Sequence, residues 1–316
     1  MSAKRNIPTV DLNDYTAGEG TTRARLIDTL GGGLQEFGFL NVEGHGIDRD
    51  LVRGTYQLWQ KFFDLPDDVK RKYSGVEGGA RGYTPFGVEH AKDNPLPDLK
   101  EFWHIGQEPP EGHPYGREYP GNVWPAEIPE LREPTLRLYK SLEGVAENLL
   151  RALAEYFDMP RESFASMMEV GNSILRVIHY PPVRPEHDPA VRAAAHEDIN
   201  LITLLCEATD SGLEILTREG EWMAVETGEG QIVVDAGDML SRFTNEVVPA
   251  TTHRVVNPPS NSGRDRYSMP FFVHPYSSCD LTIPSRFVTE DQPPKYPPIT
   301  AGQFLEQRLR EIGLKK

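Results

Sequence analysis

The stretch His196-Glu197-Asp198-Ile199-Asn200-Leu201-Ile202-Thr203-Leu204-Leu205 sets a histidine and a carboxylate two residues apart, directly before an apolar run. In extended chain, residues i and i+2 project from the same face, so both side chains can reach one ion. Around this stretch the sequence has the rhythm of strands. Residues 174–180, 201–206, 213–216, 222–225, 232–235, 239–243, 253–256 and 266–273 are short β-rich runs separated by turn residues. Eight such runs predict a jelly roll, a cupin-like barrel.

Working outward, the pattern turns helical. Leu138, Leu142, Val145, Leu149, Leu150, Leu153 and Phe157 recur at three- and four-residue steps, which predicts a long scaffold helix over 134–159. Leu26, Leu30, Leu34 and Phe37 predict another over 23–37, although Gly31-Gly32-Gly33 interrupts it. A short strand at 39–42 follows, then Asp48 caps a helix through Leu51, Leu58, Phe62 and Phe63 up to Pro66. A last helix is expected over 301–312. Pro and Gly are densest at 77–125, 257–263 and 293–298, which read as loops. The expected organisation is a single catalytic unit over 1–316: an N-terminal region at 6–125, scaffold helices at 126–170, the β core at 171–280 and a C-terminal helix at 300–314.

Of 316 residues, 33 are Lys or Arg and 48 are Asp or Glu, a formal net charge of −15. The longest basic run is Lys70-Arg71-Lys72, so neither nucleic acid nor an anionic membrane is an expected partner. No apolar stretch approaches the roughly 20 residues of a membrane span, and the N-terminus carries no secretory pattern. Cys206 and Cys279 are too few for a disulfide scaffold and read as buried thiols. A soluble cytoplasmic protein is expected, a monomer by default, acting on a small molecule.

With nine histidines and 48 acidic residues, about one His-x-Asp/Glu pair arises by chance, so the pair alone reads first as a polar surface turn. A third ligand from a neighbouring strand changes that weighting, and His253 opens such a run. His196, Asp198 and His253 would then form the facial triad of two imidazoles and one carboxylate, with three positions of an octahedral ion left open. Arg266-Tyr267-Ser268 adds a guanidinium and a hydroxyl on one face of a strand. A buried Arg needs an anion, and its planar fork matches a carboxylate. The charges of Fe(II), Asp198, a dicarboxylate such as 2-oxoglutarate and Arg266 cancel, which suits a buried assembly. Tyr180, before Pro181-Pro182, adds a hydroxyl for the keto acid or is a plain strand tyrosine. Arg161-Glu162-Ser163 repeats the Arg-x-Ser pattern after Pro160 and reads as a helix cap.

These residues together resemble the isopenicillin N synthase-like branch of the Fe(II)/2-oxoglutarate-dependent oxygenases over nearly the whole chain. The N-terminal signature is similar to Ile7-Pro8-Thr9-Val10-Asp11, to Phe37-Gly38-Phe39-Leu40-Asn41-Val42 and to His45-Gly46-Ile47. Phe62-Phe63-Asp64-Leu65-Pro66 with Lys70, Arg81-Gly82-Tyr83, and Asp98-Leu99-Lys100-Glu101-Phe102 match further family segments. The family's HxD…H…RxS set falls on His196, Asp198, His253, Arg266 and Ser268. One departure is Ile178-His179-Tyr180-Pro181, where many plant members carry Asn-Tyr-Tyr-Pro.

The resemblance implies a mixed α and β chain with a double-stranded β-helix core flanked by helices. It implies Fe(2+) on His196, Asp198 and His253, and 2-oxoglutarate as cosubstrate held by Arg266, Ser268 and Tyr180. With O2 the family oxidises, typically hydroxylates, a small organic molecule and releases succinate and CO2. Tyr83, Phe102, His104 and Phe272 would line the substrate pocket. Three alternatives stay open at this point. One is a keto-acid-independent iron oxidase of the isopenicillin N synthase or aminocyclopropane carboxylate oxidase type, drawing electrons from substrate or ascorbate. The others are a metal-bearing binding protein without turnover and a zinc hydrolase.

Overall fold

Two sheets face each other in the computed structural model, which describes residues 6–76, 80–90, 96–184, 187, 189–257 and 263–311. The strands are Thr9–Asp11 (β1), Phe39–Glu43 (β2), Gly82–Thr84 (β3), Glu101–Gly106 (β4), Ile174–Tyr180 (β5), Ala193–His196 (β6), Ile202–Cys206 (β7), Leu213–Leu216 (β8), Trp222–Ala224 (β9), Ile232–Ala236 (β10), His253–Val255 (β11), Arg266–Ser268 (β12) and Pro270–Val273 (β13). The larger sheet runs β1-β2-β10-β7-β13-β5-β4-β3, with β12 also on β5, and the smaller runs β6-β11-β8-β9. The helices are Asn13–Thr16 (α1), Gly20–Phe37 (α2), Arg49–Phe63 (α3), Asp67–Lys70 (α4), Arg132–Tyr156 (α5), Asp238–Phe243 (α6) and Ala301–Glu311 (α7). None of them is long and apolar enough to cross a membrane.

Strand alternation gives the larger sheet two distinct faces. Trp103, Leu175, Val177, Leu204, Phe271 and Val273 point outward and join one core with Trp59 and Phe62 of α3 and Leu138, Leu142 and Leu150 of α5. Burying each of these side chains contributes roughly 1.5–3 kcal/mol. The alternate residues point inward, toward the smaller sheet. There Phe102, Ile178 and Tyr180 meet Ala193 and Val255, while Phe39 and Val233 meet Ile215. Helices on one face and a second sheet on the other make the double-stranded β-helix core that the strand count suggested.

Local chemistry explains the helices. Asp48 caps α3, its carboxylate accepting from Asp50 N–H at 2.9 Å. Two of the glycines inside α2 are a packing requirement, because a Cβ on Gly31 would lie 2.1 Å from the Tyr156 ring of α5 and one on Gly33 2.5 Å from Pro8. Gly38 ends α2 at φ 66°, a left-handed cap suited to glycine. Cys206 and Cys279 are buried and unpaired, as expected.

Several expectations are corrected. Residues 239–243 form helix α6, not a strand: Asp238 and Met239 N–H groups donate to the Asp198 and Ile199 carbonyls, and Leu240 starts the turn to Thr244. A short apolar run cannot be assigned to helix or strand by period alone. β6 went unread because Ala193-Ala194-Ala195 has little strand propensity and is held by pairing with β11. β3 and β4 cross the segment expected to be loop, and β4 is buried on both faces, which erases alternation. The run at 266–273 splits at Met269 into β12 and β13. Arg161-Glu162-Ser163 is a turn, and the short 3-10 helix after it, Ala165–Met168, has no side-chain cap. Residues 77–79, 91–95 and 258–262 of the expected loops, and 312–314 of the expected last helix, lie outside the described residues.

Candidate metal centre

His253 on β11 sits directly opposite His196 on β6. Asp198 follows two residues after His196, and its carbonyl accepts from Asp238 N–H at 2.7 Å where α6 begins. One ligand atom from each of His196, Asp198 and His253 falls within 4.8 Å of the others. Nε2 of His196 and Nε2 of His253 lie 3.8 and 3.9 Å from Asp198 Oδ1. Each imidazole is oriented from behind, with His196 Nδ1 at 2.7 Å from the Ala194 carbonyl and His253 Nδ1 at 3.2 Å from that of Thr251. A carbonyl partner puts the proton on Nδ1 and leaves the Nε2 lone pair facing inward. Thr203 donates to Asp198 Oδ2, which leaves Oδ1. Three lone pairs therefore converge.

Electrostatics keep His196 and Asp198 in metal-ready states. Burial, with His253 alongside, pushes His196 down to about 4, so its imidazole is neutral at pH 7. Burial alone would raise Asp198, but His253, His196 and the Thr203 hydroxyl hold its carboxyl below the usual range. Asp235, opposite Thr203, behaves in the reverse sense: burial and the Asp198 charge push it well above the carboxylate range. Two neutral imidazoles and a carboxylate on one side of a cavity fit an octahedral divalent ion of the Fe(II) kind, with three positions left for other ligands.

Arg266 and Ser268 share the inner face, opposite Tyr180 and Ile178 of β5. Arg266 is 1% exposed, its Nε donates to the Asp210 carbonyl at 3.1 Å, and its buried Nη1 has no partner among the described residues. The Tyr180 ring covers the guanidinium at 4.9 Å. Leaving a buried cationic donor unmade costs about 1–3 kcal/mol or more, so this edge is shaped for an anion. The residues fit a dicarboxylate.

Of the four expected pocket residues, Phe102, His104 and Phe272 share the inner face, with Phe102 and His104 on β4 and Phe272 on β13. Tyr83 is corrected: it pairs with Trp103 on the outer face, rests on Phe62 and donates to Glu101. Sequence reasoning missed Arg176, in the middle of β5 on the inner face, whose Nη1 lies 3.0 Å from Glu89. The argument applied to Arg266, that a strand arginine inside a barrel needs a partner, would have found it. Thr203 was quoted but given no role.

The chain matches the family described as non-haem dioxygenase in morphine synthesis N-terminal over residues 7–127. It matches the 2OG-Fe(II) oxygenase superfamily over residues 171–275. It is 32% identical to the 2-oxoglutarate-Fe(II) type oxidoreductase hxnY of Emericella nidulans, across 96% of this chain and 89% of that one. A solved 2OG-Fe(II) oxygenase family protein of Caulobacter crescentus is 42% identical with a TM-score of 0.89, covering 98% of this chain and 100% of the other. A full-length Neurospora crassa protein, solved in complex with alpha-KG and thymine, is 30% identical with a TM-score of 0.85 over 96% of both chains.

Proposed function

The chain belongs to the 2OG-Fe(II) oxygenase superfamily, and from that premise we propose how its own residues divide the work. The enzyme is a 2-oxoglutarate-dependent non-haem Fe(II) dioxygenase that oxidises a small organic molecule with O2 and releases succinate and CO2. His196 Nε2, Asp198 Oδ1 and His253 Nε2 hold the iron, each oriented by its own hydrogen bond from behind. Arg266 presents its fork to the distal carboxylate of 2-oxoglutarate, Ser268 adds a hydroxyl, and Tyr180 covers the guanidinium. The bound iron and keto acid supply the oxidising chemistry. The protein supplies orientation and a dry wall, in which Phe102 exposes only 2% of its surface.

The whole chain acts as one catalytic unit, a cytoplasmic monomer, in which the N-terminal strands complete the sheet that carries Arg266 and the chain's second region carries the triad. Two buried free thiols support a reducing compartment. Thymine in the Neurospora crassa complex supports a small cyclic substrate. The observation that carries the reading is Arg266 Nη1, unpartnered among the described residues, on the same inner face as a converging His-Asp-His set. Its test is succinate formation from 2-oxoglutarate by the Fe(II) protein across fractionated metabolite extracts. A fraction-dependent rise that vanishes on iron chelation is expected. No rise in any fraction would defeat the assignment.

A further inference from the structure

A second charge cluster lies on the inner face, and neither the iron nor the keto acid uses it. Arg176 projects inward from β5, two residues before Ile178, which faces Ser268. Its guanidinium is packed against aromatic rings, 4.2 Å from the centroid of Phe102 and 5.2 Å from that of Phe272. Rings that cover a guanidinium plane leave its edge as the route of approach. Along that edge, Nε donates to His104 Nε2 at 2.6 Å and Nη1 to Glu89 at 3.0 Å, while Nη2 makes no hydrogen bond among the described residues and is not sealed from solvent. Glu89 also takes Lys100 at 2.8 Å, and Lys100 takes Asp98 at 2.8 Å.

This face is not sealed. Arg176 and Glu89 keep 18% and 20% of their side-chain surface, whereas the outward neighbours Leu175 and Val177 on the same strand keep 0%. The cluster and the triad share this face, because Phe272, under the guanidinium, sits opposite Thr203, which donates to Asp198. His274 Nδ1 and Asn172 Oδ1 are buried polar atoms without partners among the described residues. Both stand beside β5 and β13, where Ile174 faces Phe272.

Charge decides what the cluster accepts. The Arg176 and Lys100 charges are balanced by Glu89 and Asp98, so these four charges cancel before any substrate arrives. The iron and keto-acid assembly with Asp198 and Arg266 is neutral as well. His104 accepts the Arg176 Nε–H at its own Nε2. A substrate carboxylate entering here would be an uncompensated charge in a buried site, while a carbonyl oxygen would satisfy the Arg176 edge at no such cost.

We propose that Arg176, set by Glu89, His104 and the two aromatic rings, is the specificity-determining residue for the primary substrate, and that it selects a flat, uncharged molecule presenting a ring-plane carbonyl, a cyclic amide or imide, over a carboxylate. The inference rests on the oxygenase reading, since it places this substrate beside the iron.

The test is calorimetric titration of the anaerobic Fe(II) and 2-oxoglutarate-loaded protein with shape-matched pairs, uracil against orotate and benzamide against benzoate. The neutral member should bind about tenfold tighter or more in each pair. Glu89→Gln leaves the cluster with a net positive charge and should narrow or invert that ratio. Arg176→Gln should weaken the neutral member about tenfold or more without moving the 2-oxoglutarate titration. Tighter carboxylate binding by the unmodified protein, an unchanged ratio in Glu89→Gln, or no binding of either member overturns the proposal. If 2-oxoglutarate still binds the iron in those cases, only the substrate inference fails. If it does not, the oxygenase reading fails first.

Discussion

The two faces of the larger sheet both bury charge, and they treat it differently. On the outer face, Lys70 lies 2.9 Å from Glu101, which also takes the Tyr83 hydroxyl and His179 Nδ1, and His179 Nε2 goes on to Asp265 at 2.6 Å. Each member of that chain is satisfied from within. On the inner face, Arg266 Nη1 and His274 Nδ1 are buried without a partner among the described residues. Burial of charge alone therefore does not mark a functional site. A closed network stabilises the fold, whereas an open one beside converging metal ligands is arranged for something that has yet to bind. Arg81, buried behind Gly106 with Nε and Nη2 unpartnered among the described residues, is a cation that nothing in the structure explains.

The largest expected effect comes from the triad. His196→Ala, Asp198→Ala and His253→Ala should each abolish turnover and sharply weaken Fe(II) binding, since loss of one of three protein ligands opens the site. Thermal unfolding of the metal-free variants should stay close to that of the unmodified metal-free protein. Full turnover by any one of them removes that residue from the triad.

The outer face should give the opposite pattern. Glu101→Gln leaves Lys70 and His179 facing a neutral amide and should cost about 3–5 kcal/mol of stability, read by denaturant unfolding. The 2-oxoglutarate requirement of the folded fraction should not change. A shift in that requirement with no loss of stability would erase the distinction between the faces.

Arg266→Lys should leave stability nearly untouched and raise the 2-oxoglutarate requirement. Losing one partner of a buried charged hydrogen bond costs roughly 2–5 kcal/mol, on the order of thirtyfold or more in affinity. Ser268→Ala should act in the same direction and less, because a hydroxyl on a charged acceptor contributes about 1.5–3 kcal/mol at most. Steady-state succinate assays at varied keto acid measure both.

The smallest effect is on pH dependence. Burial alone would raise Glu101, but His179, Tyr83 and Lys70 hold its carboxyl below its ordinary value of 4.5. A depressed carboxyl contributes stability that is fully present above the unfolded value and is lost as pH falls through the folded one. Stability should therefore decline below about pH 4.5, and Glu101→Gln should flatten that decline.

Much of this was legible in the residues. His196-x-Asp198 and Arg266-x-Ser268 could be read because strand alternation puts i and i+2 on one face, and α5 because its apolar stripe is long. The failures have physical causes. Tyr83 belongs to the outer face through a pairing with Trp103 that no local pattern encodes. Residues 239–243 turn helical because the backbone after Asp198 captures their N–H groups. Arg176 was hidden in an apolar strand, where its partners Glu89 and His104 come from far along the chain.

The central claim, that the open inner face is built to receive a dicarboxylate beside iron, is tested most directly by titrating anaerobic Fe(II)-loaded protein with 2-oxoglutarate and following the metal-to-ligand charge-transfer band. A saturable band in the unmodified protein, displaced to much higher keto acid in Arg266→Lys and unmoved in Glu101→Gln, is the predicted result. No band at saturating 2-oxoglutarate, or the same titration in Arg266→Lys as in the unmodified protein, would contradict it.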